Sequence, residues 1–283
     1  MLTNNIASLV LLNVGYAAHN ADWNYQRVRS PFARIYYVTK GAASVKLDSG
    51  TYWLRPDHLY LLPPFTSHSD KCVGIFELYY IHVYSDTAYN NNVFSLYDFP
   101  FESLASNLDL LLIERLMAIT PNRELPQYDP KLYDDTPTLI NSLAISAQTP
   151  FDETMETQGI ILQLLSRFLK NATSKYASSD SRVVKAIEYI NTHIERNISI
   201  DELAETCCLS PDHFIRLFKK ATRQTPLNYI NERKIQRAQT LLVFTNKQVK
   251  DISYQLSFDN VSYFNRLFKK YTGKTPMKYR AIR

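Results

Sequence analysis

From Leu9 to Tyr84 the apolar positions come in short runs, each closed by a turn signal. Arg34-Ile35-Tyr36-Tyr37-Val38 stops at Lys40-Gly41, and Ala43 to Asp48 stops at Ser49-Gly50. Tyr52-Trp53-Leu54 stops at Pro56-Asp57, and Leu59 to Leu62 stops at Pro63-Pro64. Ile75 to Tyr84 is a long aromatic run, and Leu9 to Val14 reads as a further strand. Short strands at roughly 8–12-residue spacing suggest a sandwich or a small barrel. The antiparallel barrel is preferred, because closure hides the edges of such tyrosine-rich strands.

From about Phe101 the apolar period turns helical. Leu104, Leu108, Leu111, Leu112 and Leu116 mark one segment, and Leu139, Ile140, Leu143 and Ile145 mark a second. A longer helix from Asp152 to Asn171 carries Ile160, Ile161, Leu164, Leu165, Phe168 and Leu169 on a wide stripe. Asn171 to Ser181 is small and polar and reads as a linker. Beyond it the pattern is all helical, with Val184, Ile187, Ile190 and Ile194 on one face.

That last part repeats itself. Phe214-Ile215-Arg216-Leu217-Phe218-Lys219-Lys220 returns fifty residues later as Phe264-Asn265-Arg266-Leu267-Phe268-Lys269-Lys270, and Thr225-Pro226 and Tyr229 return as Thr275-Pro276 and Tyr279. Upstream, Leu203-Ala204 answers Ile252-Ser253 at an offset of forty-nine. Each copy reads as helix, turn, helix. Ile200 to Thr206 leads the first copy, Cys208-Leu209 turns, Ser210 caps and Pro211 opens the second helix. Val249 to Gln255 leads the second copy, Ser257-Phe258 turns, and Asp259 or Asn260 caps. Phe214, Leu217 and Phe218 form one buried face, and Phe264, Leu267 and Phe268 form the other. Asp212, Ile215, Arg216 and Lys219 then point outward, as do Ser262, Asn265, Arg266 and Lys269.

This is the helix-turn-helix layout, whose second helix enters the DNA major groove. Arg216 and Arg266 carry forks that match guanine O6 and N7, Asn265 matches adenine, and Ile215 suits a thymine methyl. Asp212 either accepts from cytosine N4 or serves only the helix dipole. Ser210, Lys219, Lys220, Arg223, Asn260, Tyr263, Lys269 and Lys270 are the candidates for phosphate. Between the copies Thr225 caps a helix from Pro226 to about Val243. Its span of about 27 Å would hold the two reading helices about one DNA turn apart.

Charge agrees. The 283 residues carry a net +5, but residues 1–180 hold 13 Lys+Arg against 18 Asp+Glu, and residues 181–283 hold 19 against 9. A basic third on an acidic two-thirds points to a polyanion partner for the basic part. The cysteines, Cys72, Cys207 and Cys208, are odd in number with two adjacent, which argues against a disulfide framework. No run of about eighteen apolar residues is present and no basic secretory leader opens the chain, so a cytoplasmic protein that does not span a membrane is expected.

Residues from about 182 to 283 resemble the DNA-binding domain of the AraC/XylS family of bacterial transcription regulators. The resemblance rests on Leu209-Ser210-Pro211, Leu217-Phe218-Lys219-Lys220, Arg237-Ala238 with Leu241-Leu242, Asp251-Ile252-Ser253, Ser262-Tyr263-Phe264 and the closing run Phe268 to Pro276 with Tyr279-Arg280. It implies that Asp212, Ile215, Arg216, Ser262, Asn265 and Arg266 face bases, and that the protein is an activator contacting RNA polymerase. Two departures stand out: Ser257 and Arg223 sit where the family usually has Gly.

Val38-Thr39-Lys40-Gly41, Leu61-Leu62-Pro63-Pro64 with His68, and Tyr80-Ile81-His82-Val83 are similar to the family's cupin-like effector-binding domain. The whole then reads as a multidomain α+β chain: a cupin-like antiparallel β-barrel over 1–100, a helical linker and dimerisation region over 101–177, and an all-α domain with two helix-turn-helix units over 178–283. The resemblance implies a small-molecule effector such as a sugar, and a homodimer, with the Ile160 to Leu169 stripe as the candidate dimer contact. Trp23, Tyr36, Tyr52, His68, Tyr80 and His82 are the candidate pocket. Cupin metal sites use a His-x-His pair with a later Glu, and no His-x-His occurs around His58, His68 or His82. No metal, cofactor or catalytic residue is therefore expected. Two rival readings remain: a regulator whose barrel serves protein–protein contacts, and a metal-dependent cupin enzyme with a DNA-binding tail.

Overall fold

The computed structural model describes residues 9–85, 93–176 and 180–281. The chain opens with β1 (Leu9–Asn20), β2 (Asn24–Val28), β3 (Ala33–Leu47), β4 (Gly50–Leu54), β5 (His58–Leu62) and β6 (His68–Ser85). Then come α1 (Val93–Leu96), β7 (Tyr97–Asp98), β8 (Glu102–Leu104), α2 (Asn107–Ile119), α3 (Pro130–Tyr133), α4 (Thr136–Gln148), α5 (Phe151–Leu169) and β9 (Thr173–Ser174). The C-terminal helices are α6 (Ser181–Thr192), α7 (Ile200–Thr206), α8 (Pro211–Thr222), α9 (Pro226–Phe244), α10 (Val249–Gln255), α11 (Val261–Thr272) and α12 (Pro276–Ala281). The described residues divide into two compact units, 9–85 with 97–173, and 93–96 with 174–176 and 180–281.

Two long strands organise the first unit. The runs before and after Lys40-Gly41 are one strand, β3, which pairs antiparallel with β6 from Ala33↔Val83 to Lys46↔Ser69. The chain does not stop at Gly41; it bulges there, with register shifts on both sides of the Lys40-Gly41 pair. Gly41 has φ +75, and a Cβ on it would lie 1.9 Å from the Ile75 carbonyl oxygen. Only glycine lets the two strands stay this close. The sheet runs β1-β6-β3-β5-β8, with β2 also on β6 and β4 also on β3. The β-rich, cupin-like reading of this region holds.

Two sequence expectations are corrected here. The helical period does not begin near Phe101: Glu102–Leu104 is a strand against β5, and Leu104 is exposed. The helix starts at Asn107, where the Asp109 carboxylate accepts from both the N–H and the hydroxyl of Ser106. Leu108 and Leu111 are exposed, and Ile113 and Leu116 are the buried pair. Burial pushes Asp109 up, but the bonds from Ser106 and from Arg167 (2.7 Å) outweigh it and hold the carboxyl below its ordinary range. The Asp109–Arg167 bond ties α2 to α5.

The second correction concerns the stripe of α5. Ile160, Ile161, Leu164, Leu165 and Phe168 are buried within their own chain, where α5 packs on α2 and β1. Leu169 alone of the stripe is exposed. A stripe already covered by its own chain is not open to a second subunit. Sequence periodicity identifies a face that must be buried but not what buries it.

In the second unit α6 buries Val183, Ala186, Ile187 and Ile190, so its face lies one residue before the expected Val184, which is half-buried. These residues share a core with Leu203, Ala204, Cys207, Phe214, Phe218, Tyr229 and Ile230. The repeat survives in three dimensions. Phe214–Phe218 and Phe218–Tyr229 lie 5.5 Å apart between ring centres, answered by Phe264–Phe268 at 5.8 Å and Phe268–Tyr279 at 5.3 Å. Helix α9 joins the copies over 19 residues, about 28 Å. Its buried Lys234 donates to the Leu256 carbonyl at 2.7 Å and lies over the Phe258 ring, which fixes the second turn to the strut.

Because the α5 stripe is internal, Leu164→Ala should lower stability by about 2–5 kcal/mol. Urea unfolding at two protein concentrations checks this: the loss should be the same at both, and a loss that vanished at high concentration would return the stripe to an interface.

Candidate nucleic-acid interface and effector core

The two turns share one geometry despite the missing glycine. Cys208 and Ser257 occupy equivalent places with φ 53 and 54. Leu209 N–H donates to the Ala204 carbonyl at 2.9 Å, and Phe258 N–H donates to the Ser253 carbonyl at 3.0 Å. Ser257 offsets part of its backbone strain by donating its hydroxyl to the Glu195 carbonyl at 2.6 Å. The reading helices also end alike. Arg223 (φ 62) and Gly273 (φ 75) both take the left-handed cap, with N–H bonds to Lys219 and Lys269 carbonyls at 2.9 Å. Neither departure from glycine alters the path of the chain.

The outward faces follow from the buried phenylalanines. Asp212, Arg216, Lys219 and Lys220 on α8 are exposed, as are Ser262, Arg266, Lys269 and Lys270 on α11. Ile215 and Asn265 are half-buried at equivalent positions, and the Asn265 carbonyl oxygen is buried with no hydrogen-bond partner. Leu217 is half-buried, where its counterpart Leu267 is buried. Ser210 stands at its cap position with its hydroxyl unused, while Asn260, not Asp259, caps α11 by accepting from Ser262 and Tyr263 N–H. Tyr263 is exposed beside the Phe258 ring, and Arg223 is exposed at the end of α8. Among the described residues no carboxylate lies within 4.0 Å of Arg216, Lys219, Lys220, Arg266, Lys269 or Lys270. Two equivalent faces thus present cations that, among the described residues, no carboxylate pairs.

In the first unit five of the six candidate pocket residues are buried: Trp23, Tyr36, His68, Tyr80 and His82. Tyr52 is not among them. It sits on β4, bonded to the Ser49 hydroxyl and packed on Phe101 at 5.0 Å. Trp23 lies 5.1 Å from Phe76 and 6.0 Å from Tyr36, and His82 stacks on Tyr133 at 5.3 Å. Tyr80 accepts from Leu125 N–H at 2.7 Å.

The sequence reading missed the charges at this place. Arg34 is wholly buried and donates to the Ser30 hydroxyl at 2.7 Å, and Ser30 donates in turn to Asp134. Asp70 is buried beside His68. Arg34 Nε, His68 Nε2, Asp70 Oδ1 and His82 Nδ1 are buried with no hydrogen-bond partner, His68 Nε2 lying 3.7 Å from Asp70 Oδ2. The signal was parity. Arg34 and Tyr36, His68 and Asp70, and Tyr80 and His82 are each two apart on one strand, and Arg34 pairs with His82 as Tyr36 pairs with Tyr80. Burial first, and Arg34 second, push His68 down to about 3 and His82 well below the imidazole range. Burial raises Asp70 to about 7 against the pull of Arg34. His58 lies apart, next to Glu102. Among the described residues no three His, Cys, Asp or Glu side chains are grouped to hold a metal ion.

Two family models match in succession. The AraC-like ligand-binding domain covers residues 12–89, and a helix-turn-helix domain covers residues 203–282. The chain belongs to the AraC family of transcription regulators. These proteins are regulators, not enzymes. The HTH-type transcriptional activator Btr of Bacillus subtilis (strain 168) is 25% identical over 265 residues, covering 90% of this chain and 45% of Btr. YdeC, an HTH-type transcriptional regulator of the same organism, is 31% identical over 83 residues, 29% of this chain and 28% of its own. The chain thus spans less than half the length of both. Unsaturated-fatty-acid-bound ToxT from Vibrio cholerae strain SCE256 aligns with a TM-score of 0.49 at 14% identity, covering 100% of this chain and 98% of that one. Among the described residues no helix is long and apolar enough to cross a membrane.

Two outcomes follow. Cys208→Gly should stabilise the chain by about 1 kcal/mol in urea unfolding, since glycine adopts this backbone without strain. Ser257→Gly should gain less, because it also loses the bond to Glu195. The second outcome concerns pH. His68 and His82 bind protons more readily unfolded than folded, so their contribution to stability rises with pH, for His68 between about 3 and 6.5. Asp70 binds its proton more readily folded, so its contribution falls as pH rises from 3.8 to about 7. In thermal melts from pH 4 to 7, His68→Gln should flatten the rise and Asp70→Asn should steepen it.

Proposed function

We propose that this chain is a sequence-specific regulator of transcription that binds double-stranded DNA through both helix-turn-helix units and is biased by a small molecule held in the barrel. The observation that carries the reading is the pair of equivalent helix faces with uncompensated cations. In this reading Asp212, Ile215, Arg216, Ser262, Asn265 and Arg266 read bases. Arg216 and Arg266 supply the guanine forks, and the unsatisfied Asn265 carbonyl belongs to an amide able to turn toward adenine. Ser210, Lys219, Lys220, Arg223, Asn260, Tyr263, Lys269 and Lys270 hold phosphates and set register. The used carbonyl of Asn260 leaves its amide N–H groups for this task.

The effector reading rests on the unpartnered Arg34, His68, Asp70 and His82 atoms beside Trp23, Tyr36 and Tyr80. Hydroxyl groups of a polar metabolite such as a sugar would satisfy both donors and acceptors there, and the rings would cover its apolar faces. Regulation then requires the ligand to bind one state of the protein better than another. The activator named among the relatives supports activation; contact with RNA polymerase and action in the cytoplasm are part of this reading. A homodimer would have to form on a surface other than the α5 stripe.

Fluorescence anisotropy on operator-length duplex tests the DNA reading. Affinity should fall steeply with salt, as expected of about six to ten neutralised phosphates. Arg216→Ala and Arg266→Ala should each cost about 1–3 kcal/mol on the preferred duplex and flatten sequence preference. Lys269→Ala should weaken all duplexes alike. A flat salt response, or preference unchanged in both arginine variants, would remove base reading. For the effector, a sugar library that nowhere raises the melting temperature would favour a barrel used for protein contacts.

A further inference from the structure

Outside the barrel interior, where β1 meets the helices, the chain holds a second guanidinium in a different situation. Arg123 is 6% exposed, in the loop after α2. It donates from Nη1 to the Ser142 carbonyl at 3.0 Å and from Nη2 to the Ser146 hydroxyl at 2.9 Å. Two of its five N–H groups are thereby used. No carboxylate reaches it among the described residues, and burial alone acts on its protonation, downward. Arg34 has Asp134 one hydroxyl away; Arg123 has no such relief. A buried charge without a counter-charge is costly unless something satisfies it.

Arg123 borders a cleft of about 210 Å³ between β1, α4 and α5. One wall is aliphatic, made by Leu9, Leu11, Leu143 and Ala147. Thr157 also lines the cleft; it is buried and its hydroxyl has no hydrogen-bond partner. Thr120, in the same cleft, spends its hydroxyl on the Leu116 carbonyl at 2.6 Å; Thr157 makes no such bond. A second cleft of about 240 Å³ also borders Arg123, and Glu153 lines it without pairing to the arginine.

We propose that the cleft binds a small aliphatic monocarboxylate, its head on Arg123 and Thr157 and its body along Leu9, Leu11 and Leu143. The fork of the guanidinium suits the two oxygens of a carboxylate, and the threonine hydroxyl donates to one of them. The volume holds about seven water-sized groups, which sets the ligand at roughly four to eight carbons. This site is separate from the barrel interior and does not depend on the effector reading there.

The test uses the full chain with butyrate, hexanoate and octanoate, each beside its neutral amide, in thermal shift and isothermal titration calorimetry. One or more acids should bind and the matching amide should not. At ten times the Kd the acid should raise the melting temperature by roughly 3–5 °C. Thr157→Val removes no existing hydrogen bond and should weaken binding about three- to tenfold. Ala147→Trp, at an exposed wall position, should close the cleft and abolish binding with the far-ultraviolet spectrum unchanged. Arg123→Lys should weaken binding by more than Thr157→Val, and a lysine variant that failed to fold would leave the other two to decide. No acid binding at 10 mM, equal binding of acid and amide, or full binding in Ala147→Trp would overturn the proposal. Because the readout is direct binding, its failure leaves the DNA and barrel readings untouched.

Discussion

The burial of four phenylalanines governs what the C-terminal unit can present. Phe214 packs on Phe218 and Phe218 on Tyr229, as Phe264 packs on Phe268 and Phe268 on Tyr279, and all four phenylalanines are fully buried. A helix turns by about 100° per residue, so a slip of one position would carry Arg216 or Arg266 to the side of its helix. The caps guard against that slip. Pro211 behind Ser210, and the Asn260 carbonyl on two N–H groups, set where each helix starts. The left-handed residues 223 and 273 set where each stops. With both ends and one face held, the outward cations are placed by packing and not by their own interactions.

Both copies are held to one another as well as to themselves. Glu195, just beyond α6, accepts from Arg237 of the strut and from Gln255 of the second copy, and its carbonyl takes the Ser257 hydroxyl. Lys234 closes the same seam from the strut side. These bonds cross from the first copy to the turn of the second. They tie the spacing between the two reading helices to one hydrogen-bonded seam.

The first unit solves a different problem, that of charge inside a small β-fold. Arg34 and Arg123 are both buried guanidiniums, and the chain treats them differently. Arg34 is embedded among Ser30, Tyr133 and Asp134, with two neutral imidazoles kept neutral by burial and by Arg34 itself. Arg123 bridges the loop after α2 to α4 and through Ser146 to the Leu11 carbonyl of β1. The first is an internal polar network with atoms left over; the second is a staple beside open space. The first leaves buried atoms without a hydrogen-bond partner; the second leaves N–H groups unused at the edge of a cleft.

What the sequence by itself determined was everything set by local spacing. The period of fifty, the Phe positions, the proline starts and the basic excess of residues 181–283 located both helix-turn-helix units and left Arg216 and Arg266 outward, while Ile215 and Asn265, also expected outward, are half-buried. Strand parity likewise brought Tyr80 with His82 to one side. What the tertiary structure decided was which element covers which face. Periodicity marked the α5 stripe as buried but could not say that α2 and β1, and not a second chain, would bury it. It read Lys40-Gly41 as a stop, where the approach of Ile75 makes it a bulge inside one strand. It placed Tyr52 with the pocket aromatics and overlooked Arg34, Asp70 and Arg123. Parity puts Arg34 on the side of Tyr36 and Asp70 on that of His68, but whether a charge is buried depends on partners distant in the chain, and for Arg123 short-range pattern carries no record of them.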